Sequence, residues 1–167
     1  MISVDVVLIA HGTLSNQKTC EQSVVETLSE IQTNALSTIS LLTLIANRFE
    51  EKKAGSICVI SSVAGDRGRA SNYVYGSAKS MVTTFTSGLR QRLYRSNVAL
   101  LTVKPGFIDT PMTSEFIKGP LWAKPNVVAA KIVRAIDAKR NEVYVPSFWW
   151  VVMMVIKSVP NFIFKRF

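Results

Sequence analysis

The sequence is poor in the residues that cross-link or metallate small proteins, with two cysteines and one histidine among 167 residues. Cys20 and Cys58 are too few for a disulfide framework, and Cys58 lies in an apolar run that is typical of a buried strand. A protein of the reducing cytoplasm fits this pattern best. Together with a single histidine, these cysteines leave too few ligands for a zinc site, so we predict no bound metal.

Long hydrophobic runs are absent as well. The apolar stretch Phe148–Ile156 has nine residues, far fewer than the roughly 20 that span a bilayer. Asp5 interrupts the apolar N-terminal stretch, so we expect no signal peptide. Even so, 48% of the residues are apolar and the mean hydropathy is +0.23. These values predict one domain with a sizeable core, and some apolar surface that meets a membrane, a partner or further chain.

Acidic residues are scarce, since 11 Asp and Glu face 20 Lys and Arg, which gives a formal net charge of +9. Such an excess invites the hypothesis of a nucleic-acid partner. The basic residues are scattered along the chain, however, and no strand interleaves them with aromatic residues. We therefore predict no nucleic-acid binding and assign the charges to solvated helix faces.

Short apolar runs alternate with helical periodicity along the chain. The runs predict four strands, the first of them buried on both faces, at 4–10, 56–60, 98–103 and 143–145. Between Gly12 and Gly55 there is no glycine or proline, and the spacing of apolar residues predicts one long helix. Its apolar stripe consists of Val24, Leu28, Ile31, Ala35, Ile39, Leu42, Ile45 and Phe49.

Two further helices complete the pattern. One is predicted from about Tyr73 to Arg95, with Val82, Phe85, Leu89 and Leu93 inside, and another begins with Asn126 as its N-cap. Strands that alternate with helices in this order form βαβ units around a parallel sheet. The fold class is therefore α/β.

Polar side chains at the predicted strand ends carry the chemistry, because ligands of such sheets bind there. Tyr75 comes thirteen residues after Ser62, and Lys79 follows it by four, which places the phenol and the ammonium on one helix face. A nearby ammonium favours the phenolate, so Tyr75 could exchange a proton with a substrate oxygen held by Ser62. Alone, Tyr-x-x-x-Lys is a weak signal that occurs by chance in many helices, where it is more often a surface pair.

Asn34, within the long helix, and Pro105, Gly106 and Thr110, after the third strand, add independent pieces. With them the chain resembles the short-chain dehydrogenase/reductase family over nearly its whole length. The family's catalytic tetrad of Asn, Ser, Tyr and Lys matches Asn34, Ser62, Tyr75 and Lys79.

The resemblance implies a role for each member of the tetrad. Tyr75 is the general acid/base and Ser62 polarises the carbonyl. Lys79 holds the nicotinamide ribose and lowers the pKa of Tyr75, while Asn34 positions a water in a proton relay. The resemblance also implies a Rossmann-like doubly wound parallel sheet, and NAD or NADP as the cofactor, with a slight preference for NADP. The predicted cofactor-binding residues are Gly12, Tyr75, Lys79, Pro105, Gly106, Ile108 and Thr110.

The sequence departs from the family pattern in two places. Where the family has Asn-Asn-Ala-Gly, this chain has Ile9-Ala10-His11-Gly12, and His11 is either a ligand contact or incidental. The eight glycines also contain no Gly-x-x-x-Gly-x-Gly turn, the segment that binds the cofactor's pyrophosphate. By this comparison the chain begins at the family's fourth strand, so we expect an incomplete sheet of about four strands over residues 1–146 and no activity from these residues alone.

Residues 147–167 form an apolar and basic tail. Trp149 and Trp150 beside Lys157, Lys165 and Arg166 would suit a segment in a lipid headgroup region. Alternatively, the tail packs against a partner subunit or covers the substrate site. The tail and the Leu8–Leu14 segment are similar to decaprenylphosphoryl-ribose 2-epimerase reductase subunits, which handle a lipid-linked sugar.

The sequence thus predicts an NAD(P)-dependent oxidoreductase that transfers hydride between nicotinamide and a carbonyl or secondary alcohol. Its substrate is a small or lipid-linked molecule, and the loop Met112–Lys124 is expected to shape the pocket. We expect a cytoplasmic homo-oligomer when full length, with peripheral membrane contact through the tail as a further hypothesis. The alternative is a truncated, non-catalytic remnant that acts only through interaction or membrane contact.

Overall fold

The computed structural model describes residues 4–166 and has the predicted α/β architecture. Its four strands form one sheet in the order β1-β2-β3-β4, and each neighbouring pair is parallel. The strands are Val6–Ile9 (β1), Ser56–Ile60 (β2), Ala99–Pro105 (β3) and Glu142–Val145 (β4). Because all four run the same way, their carboxyl ends meet at one edge of the sheet.

Helices cover both faces of this sheet. They are Gln17–Gln22 (α1), Val24–Ile31 (α2), Ser37–Lys52 (α3), Tyr73–Leu93 (α4), Pro125–Asp137 (α5), Trp149–Ser158 (α6) and Asn161–Phe164 (α7). On one face α3 and α4 pack against Ile57 and Val59, and on the other α5 packs against Cys58 and Val103. Alternate residues of β2 therefore feed different cores, which is the doubly wound arrangement.

The predicted long helix is divided in the structure. Asn16 caps α1 by accepting hydrogen bonds from the backbone N–H groups of Lys18 and Thr19. Ser23 caps α2 in the same way, accepting from the backbone N–H of Glu26. Asn and Ser favour the N-cap because their side chains satisfy the unpaired N–H groups of the first turn. The single-helix prediction was wrong because apolar spacing alone does not register these caps.

A π-helical turn, Gln32–Leu36, joins α2 to α3. Such a turn holds an extra residue and so rotates the helix before it relative to the helix after it. The predicted stripe accordingly holds for Ala35, Leu42 and Phe49, which are buried, and fails in α2, where Val24 is 75% and Leu28 is 59% exposed. The turn thus decides which face of α2 meets the core.

The first strand is not buried on both faces as predicted. Ile9 is buried, but Val6 and Leu8 are about half exposed, at 49% and 51%. The reason is topological, because β1 is an edge strand and no helix among residues 4–166 covers that side of it. Apolar composition predicted the strand, and the expectation that the chain begins at the family's fourth strand places that strand at the edge of the sheet.

Boundaries elsewhere differ little from the prediction. β2 spans the predicted residues, and α4 begins at Tyr73 with Val82, Leu89 and Leu93 buried. β3 begins at residue 99 and ends at residue 105, against the predicted 98–103, and β4 begins at residue 142, just before the predicted 143. Asn126 is not the N-cap of α5, since the helix begins one residue earlier at Pro125. Proline is favoured at the first helical position because its missing N–H is not needed there.

The exposed edge of β1 leads to a testable expectation for the 167-residue chain. An unpaired strand edge with apolar side chains is a template for association, so this chain is expected to form oligomers in sedimentation velocity. The double substitution Val6→Lys and Leu8→Lys should shift it toward monomer. Matched substitutions at the exposed Val127 and Val133 of α5 should leave the distribution unchanged. A monomeric wild-type chain would contradict this expectation.

Candidate active site

The loops that follow β1, β2 and β3 meet at the carboxyl edge of the sheet and enclose a pocket of about 240 Å³. Eight of the nine predicted site residues line it: Gly12, Ser62, Tyr75, Lys79, Pro105, Gly106, Ile108 and Thr110. The ninth, Asn34, is fully buried behind Gly12. Residues that lie far apart in the sequence are therefore brought to one place, as the strand-end argument predicts.

Lys79 lies in α4 with its side chain buried at the sheet edge. Its Nζ donates a hydrogen bond to the carbonyl oxygen of Ile60 at 3.3 Å and lies 5.6 Å from the centre of the Tyr75 ring. Burial lowers the pKa of Lys79 to about 8, since the ammonium loses water, and the negative charge of Glu30 opposes that shift. The Lys79 ammonium therefore begins to lose its proton at mildly alkaline pH.

Tyr75 lies one helical turn earlier on α4. Burial raises the pKa of its phenol to about 12, while a hydrogen bond from Ser62 lowers it and Glu30 raises it further. The resemblance implied a lowered pKa, so the direction in this structure is the opposite of that expectation. Loss of water around the phenolate outweighs the stabilising contacts, so the phenol of Tyr75 is protonated at neutral pH.

The two serines after β2 have different partners. Ser61 is buried, and its hydroxyl bonds with the carbonyl oxygen of Lys79 at 3.0 Å and with Thr83 Oγ1 at 2.8 Å. It therefore fixes α4 against the sheet. Ser62 lines the pocket, accepts a hydrogen bond from the backbone N–H of Ala64 at 3.1 Å, and contacts the Tyr75 phenol. The sheet edge thus supplies one anchoring serine and one serine for the pocket.

Asn34 sits in the π-helical turn, and its amide is held in one orientation. Nδ2 donates to Thr13 Oγ1 at 3.1 Å and to the carbonyl oxygen of Glu30 at 3.2 Å, while Oδ1 accepts from the backbone N–H of Thr13 at 3.2 Å. Gly12 is needed for this packing, because a Cβ there would lie 2.6 Å from Asn34 Oδ1 and 3.3 Å from Lys79 Nζ. A side chain at position 12 would separate the amide from the ammonium.

Glu30 is a site residue that the sequence analysis missed. Its side chain is buried, and Oε2 accepts hydrogen bonds from the hydroxyls of Thr13, at 2.9 Å, and Ser15. Oε1 is buried and has no hydrogen-bond partner among the described residues 4–166. The available signal was its position four residues before Asn34, which places the two on one helix face. Glu30 therefore supports Asn34 through Thr13 and supplies a negative charge that acts on the Lys79 ammonium.

The segment after β3 is covered by the tail. A Cβ at Gly106 would overlap the indole of Trp149, the first residue of α6, and Phe107 packs against both Trp122 and Trp149 at 5.4 and 5.3 Å between ring centres. Trp149 and Met153 are buried beside Val63. The tail helix thus packs against the loops of the site, as one of the two alternatives for the tail proposed.

Thr110 and His11 both line the pocket. Thr110 donates its backbone N–H to Thr113 Oγ1 at 3.2 Å, and Thr113 in turn donates to the carbonyl oxygen of Ile108 at 2.6 Å. His11 is exposed, lines the pocket, and shares a hydrogen bond of 2.8 Å with Ser37 Oγ. These contacts hold the 108–113 turn and the His11 ring in place.

Lys79 should make stability depend on pH in a defined window. Its folded pKa of about 8 lies below its ordinary value of 10.5, so the unfolded chain binds the proton more tightly and stability rises from pH 8 upward. The raised pKa of Tyr75 removes stability only above pH 10. From urea denaturation we expect the free energy of unfolding to gain on the order of 2 kcal/mol between pH 8 and 10 in wild type relative to Lys79→Met.

A control for this measurement is Lys131→Met, an exposed lysine of α5, which should keep the wild-type dependence on pH. If the free energy of unfolding changed equally with pH in wild type and Lys79→Met, burial would not lower the pKa of Lys79.

Comparisons with known proteins agree with this geometry. The family model for short chain dehydrogenases matches residues 1–120. An uncharacterized oxidoreductase of Mycobacterium tuberculosis is 35% identical over 159 residues, which are 95% of this chain and 64% of that protein. One of Streptomyces coelicolor is 30% identical over 163 residues, 98% of this chain and 64% of that protein. The chain thus spans just under two thirds of the length of these relatives.

Solved structures share the fold at low identity. A short-chain dehydrogenase from Sphingobium yanoikuyae in complex with NADPH has a TM-score of 0.79 at 17% identity, over 95% of this chain and 66% of that one. One from Burkholderia cenocepacia in complex with NADP has a TM-score of 0.77 at 19% identity, over 84% of this chain and 60% of that one. Since the family model covers well over half of its residues, this chain belongs to the short chain dehydrogenase family.

Proposed function

We propose that the protein is an NAD(P)-dependent oxidoreductase that transfers hydride between nicotinamide and a carbonyl or secondary alcohol. The observation that carries the proposal is the meeting of Ser62, Tyr75 and Lys79 in one pocket at the carboxyl edge of the sheet, with Asn34 buried behind them. A neutral phenol beside a hydroxyl and a buried ammonium is suited to proton transfer at a carbonyl oxygen.

The residues in hand fit the nicotinamide end of the cofactor. Lys79 uses one of its three N–H donors on the carbonyl oxygen of Ile60, which leaves donors for ribose hydroxyls. Pro105, Gly106 and Thr110 line the same pocket and are the residues that we assign to the carboxamide side. When bound, the nicotinamide supplies or accepts the hydride. The two fold neighbours in complex with NADP and NADPH support the slight preference for NADP.

In the direction of reduction, Tyr75 donates its phenolic proton to the substrate oxygen while Ser62 donates a hydrogen bond to the same oxygen. The phenolate left behind lies near the Lys79 ammonium, whose positive charge stabilises it. Asn34 holds the helix turn next to that ammonium and is assigned to the relay that returns the proton. In the direction of oxidation the same groups act in reverse, with Tyr75 as the base.

The pocket favours a substrate with an apolar portion. Beside the polar groups it is lined by Leu14, Ile60, Val63, Phe107 and Met112. We therefore propose a small or lipid-linked carbonyl compound as the substrate, with the loop that begins at Met112 closing over it. We also propose that the whole protein forms a homo-oligomer and is located in the cytoplasm.

The tail supports a second, separate proposal of peripheral membrane contact. The outer face of α6 and α7 leaves Trp150, Val151, Val155 and Phe162 between 50% and 64% exposed, close in sequence to basic residues such as Lys157. Apolar side chains next to cations suit an anionic lipid surface. Within residues 4–166 no helix is both long and apolar enough to cross a bilayer, so any such contact would be superficial.

The proposed chemistry is tested by Tyr75→Phe in the whole protein. The substitution removes the oxygen that exchanges the proton and keeps the ring, so carbonyl reduction should fall by about 10²–10⁴-fold in kcat while NADPH still binds. Tyr73→Phe is a matched control two residues earlier in α4, where the ring is exposed, and it should retain wild-type turnover. Turnover by Tyr75→Phe above about a tenth of wild type would remove Tyr75 from the role of general acid.

The membrane proposal is tested by co-sedimentation with phosphatidylglycerol vesicles at low salt. Wild-type protein should pellet with the vesicles, and the double substitution Trp150→Glu and Val155→Glu should abolish this, because both side chains are exposed and so leave the buried face of α6 intact. Val127→Glu with Val133→Glu adds the same charge elsewhere and should still pellet. Wild-type protein that stays in the supernatant would leave the tail as a packing element.

A further inference from the structure

We propose that Arg69 binds an anionic group, a carboxylate or a phosphate, on the substrate of this enzyme. The inference rests on the proposed function for the word substrate, and it adds to that function the chemical class of the molecule: a carbonyl or alcohol that also carries an oxyanion.

Arg69 lies in the loop between β2 and α4 and lines the same pocket as Ser62 and Tyr75. Its guanidinium has five N–H donors. Within residues 4–166 the single hydrogen bond that it donates goes from Nη2 to the thioether sulfur of Met153 at 3.8 Å, and Nε is buried without a partner. Sulfur is a weak acceptor, so most of the donor capacity of this side chain is unused.

The neighbouring acid does not satisfy Arg69. Asp66 is close enough for its charge to act on the guanidinium, but its oxygens bond to Lys104 Nζ at 2.8 Å and to the hydroxyl of Tyr144 at 2.6 Å. Burial lowers the pKa of Arg69 because the cation loses water, and a guanidinium nevertheless stays charged in proteins. A partly dry cation without a hydrogen-bonded anion is costly unless a ligand completes it.

The neighbouring Arg67 differs from Arg69, because its guanidinium has oxygen acceptors as hydrogen-bond partners. Arg67 belongs to the same loop, and its guanidinium bonds with the carbonyl oxygens of Ile156 and Val159, donates to Asn161 Oδ1 and stacks on the Phe164 ring. The contacts of the Arg67 guanidinium therefore hold the tail in place. Arg69, two residues later, lines the pocket, and within residues 4–166 its guanidinium donates only to the Met153 sulfur and leaves Nε without a partner.

Asn72 does not occupy these donors either. It lines the pocket as well, and in the part of the chain that the structure describes its Oδ1 is also buried without a partner, so the amide and the guanidinium do not satisfy each other. The planar edge of a guanidinium matches the two oxygens of a carboxylate or phosphate in a bidentate pair. An oxyanion carried by the substrate would therefore complete Arg69 while its carbonyl lies at Tyr75.

Binding of unreactive probes tests the site without relying on turnover. In ligand-observed NMR titrations, benzoate and phenyl phosphate should bind the protein roughly 10- to 100-fold more tightly than the neutral benzamide. Arg69→Gln should remove this preference, and Arg69→Lys, which keeps the charge and loses the fork, should keep part of it. Arg95→Gln, an exposed arginine after α4, is the matched control and should keep all of it.

The relative strength of benzoate and phenyl phosphate identifies which oxyanion the site prefers. The proposal is overturned if neither anion binds, if benzamide binds equally well, or if the preference survives Arg69→Gln.

A kinetic arm separates this proposal from the proposed function. In the whole protein with NADPH, wild type should show a lower KM for 4-carboxybenzaldehyde and 4-formylphenyl phosphate than for methyl 4-formylbenzoate, and Arg69→Gln should erase that difference in KM. If no aldehyde is reduced, the proposed function fails while the NMR titrations still decide the anion site. If aldehydes are reduced but the three KM values are alike in wild type, the anion site fails and the oxidoreductase stands.

Discussion

The buried ammonium of Lys79 is the constraint around which this site is arranged. It lies where α4 meets the ends of β1 and β2, bonded to the carbonyl oxygen of Ile60 and next to the Asn34 amide. Its burial lowers its pKa, so the surroundings must limit the cost of a dry cation. Gly12 leaves room for the amide, and Glu30 contributes a compensating negative charge.

The π-helical turn creates the polar environment of the Lys79 ammonium. By adding a residue to the helix, it turns Glu30 inward and exposes Val24 and Leu28, which a regular helix would have placed on the apolar stripe. Burying a carboxylate in place of leucine costs stability, and hydrogen bonds from Thr13 and Ser15 offset part of the cost. The π-helical turn thus buries a carboxylate that belongs to the site and exposes apolar side chains that would otherwise add to the core.

The tail and the loop after β2 stabilise each other across the pocket. Trp149 covers Gly106, and Arg67 binds the carbonyl end of α6, so the tail holds in place the segments that line the pocket. A buried ion pair between Lys104 and Asp66 adds a second link between β3 and that loop. Removing one partner of such a pair is strongly destabilising. The ion pair therefore holds this loop in a fixed position beside the pocket.

The sequence by itself determined the strands, the face of α4 and the spacing that joins Ser62, Tyr75 and Lys79, because these depend on local periodicity and on a parallel sheet collecting its strand ends. Helix caps at Asn16 and Ser23 were present in the sequence as well, but apolar spacing masked them. Only the tertiary structure decided the rest. The burial of Glu30 and the different hydrogen-bond partners of Arg67 and Arg69 depend on which distant groups surround them, and desolvation and hydrogen-bond partners are properties of that assembled environment.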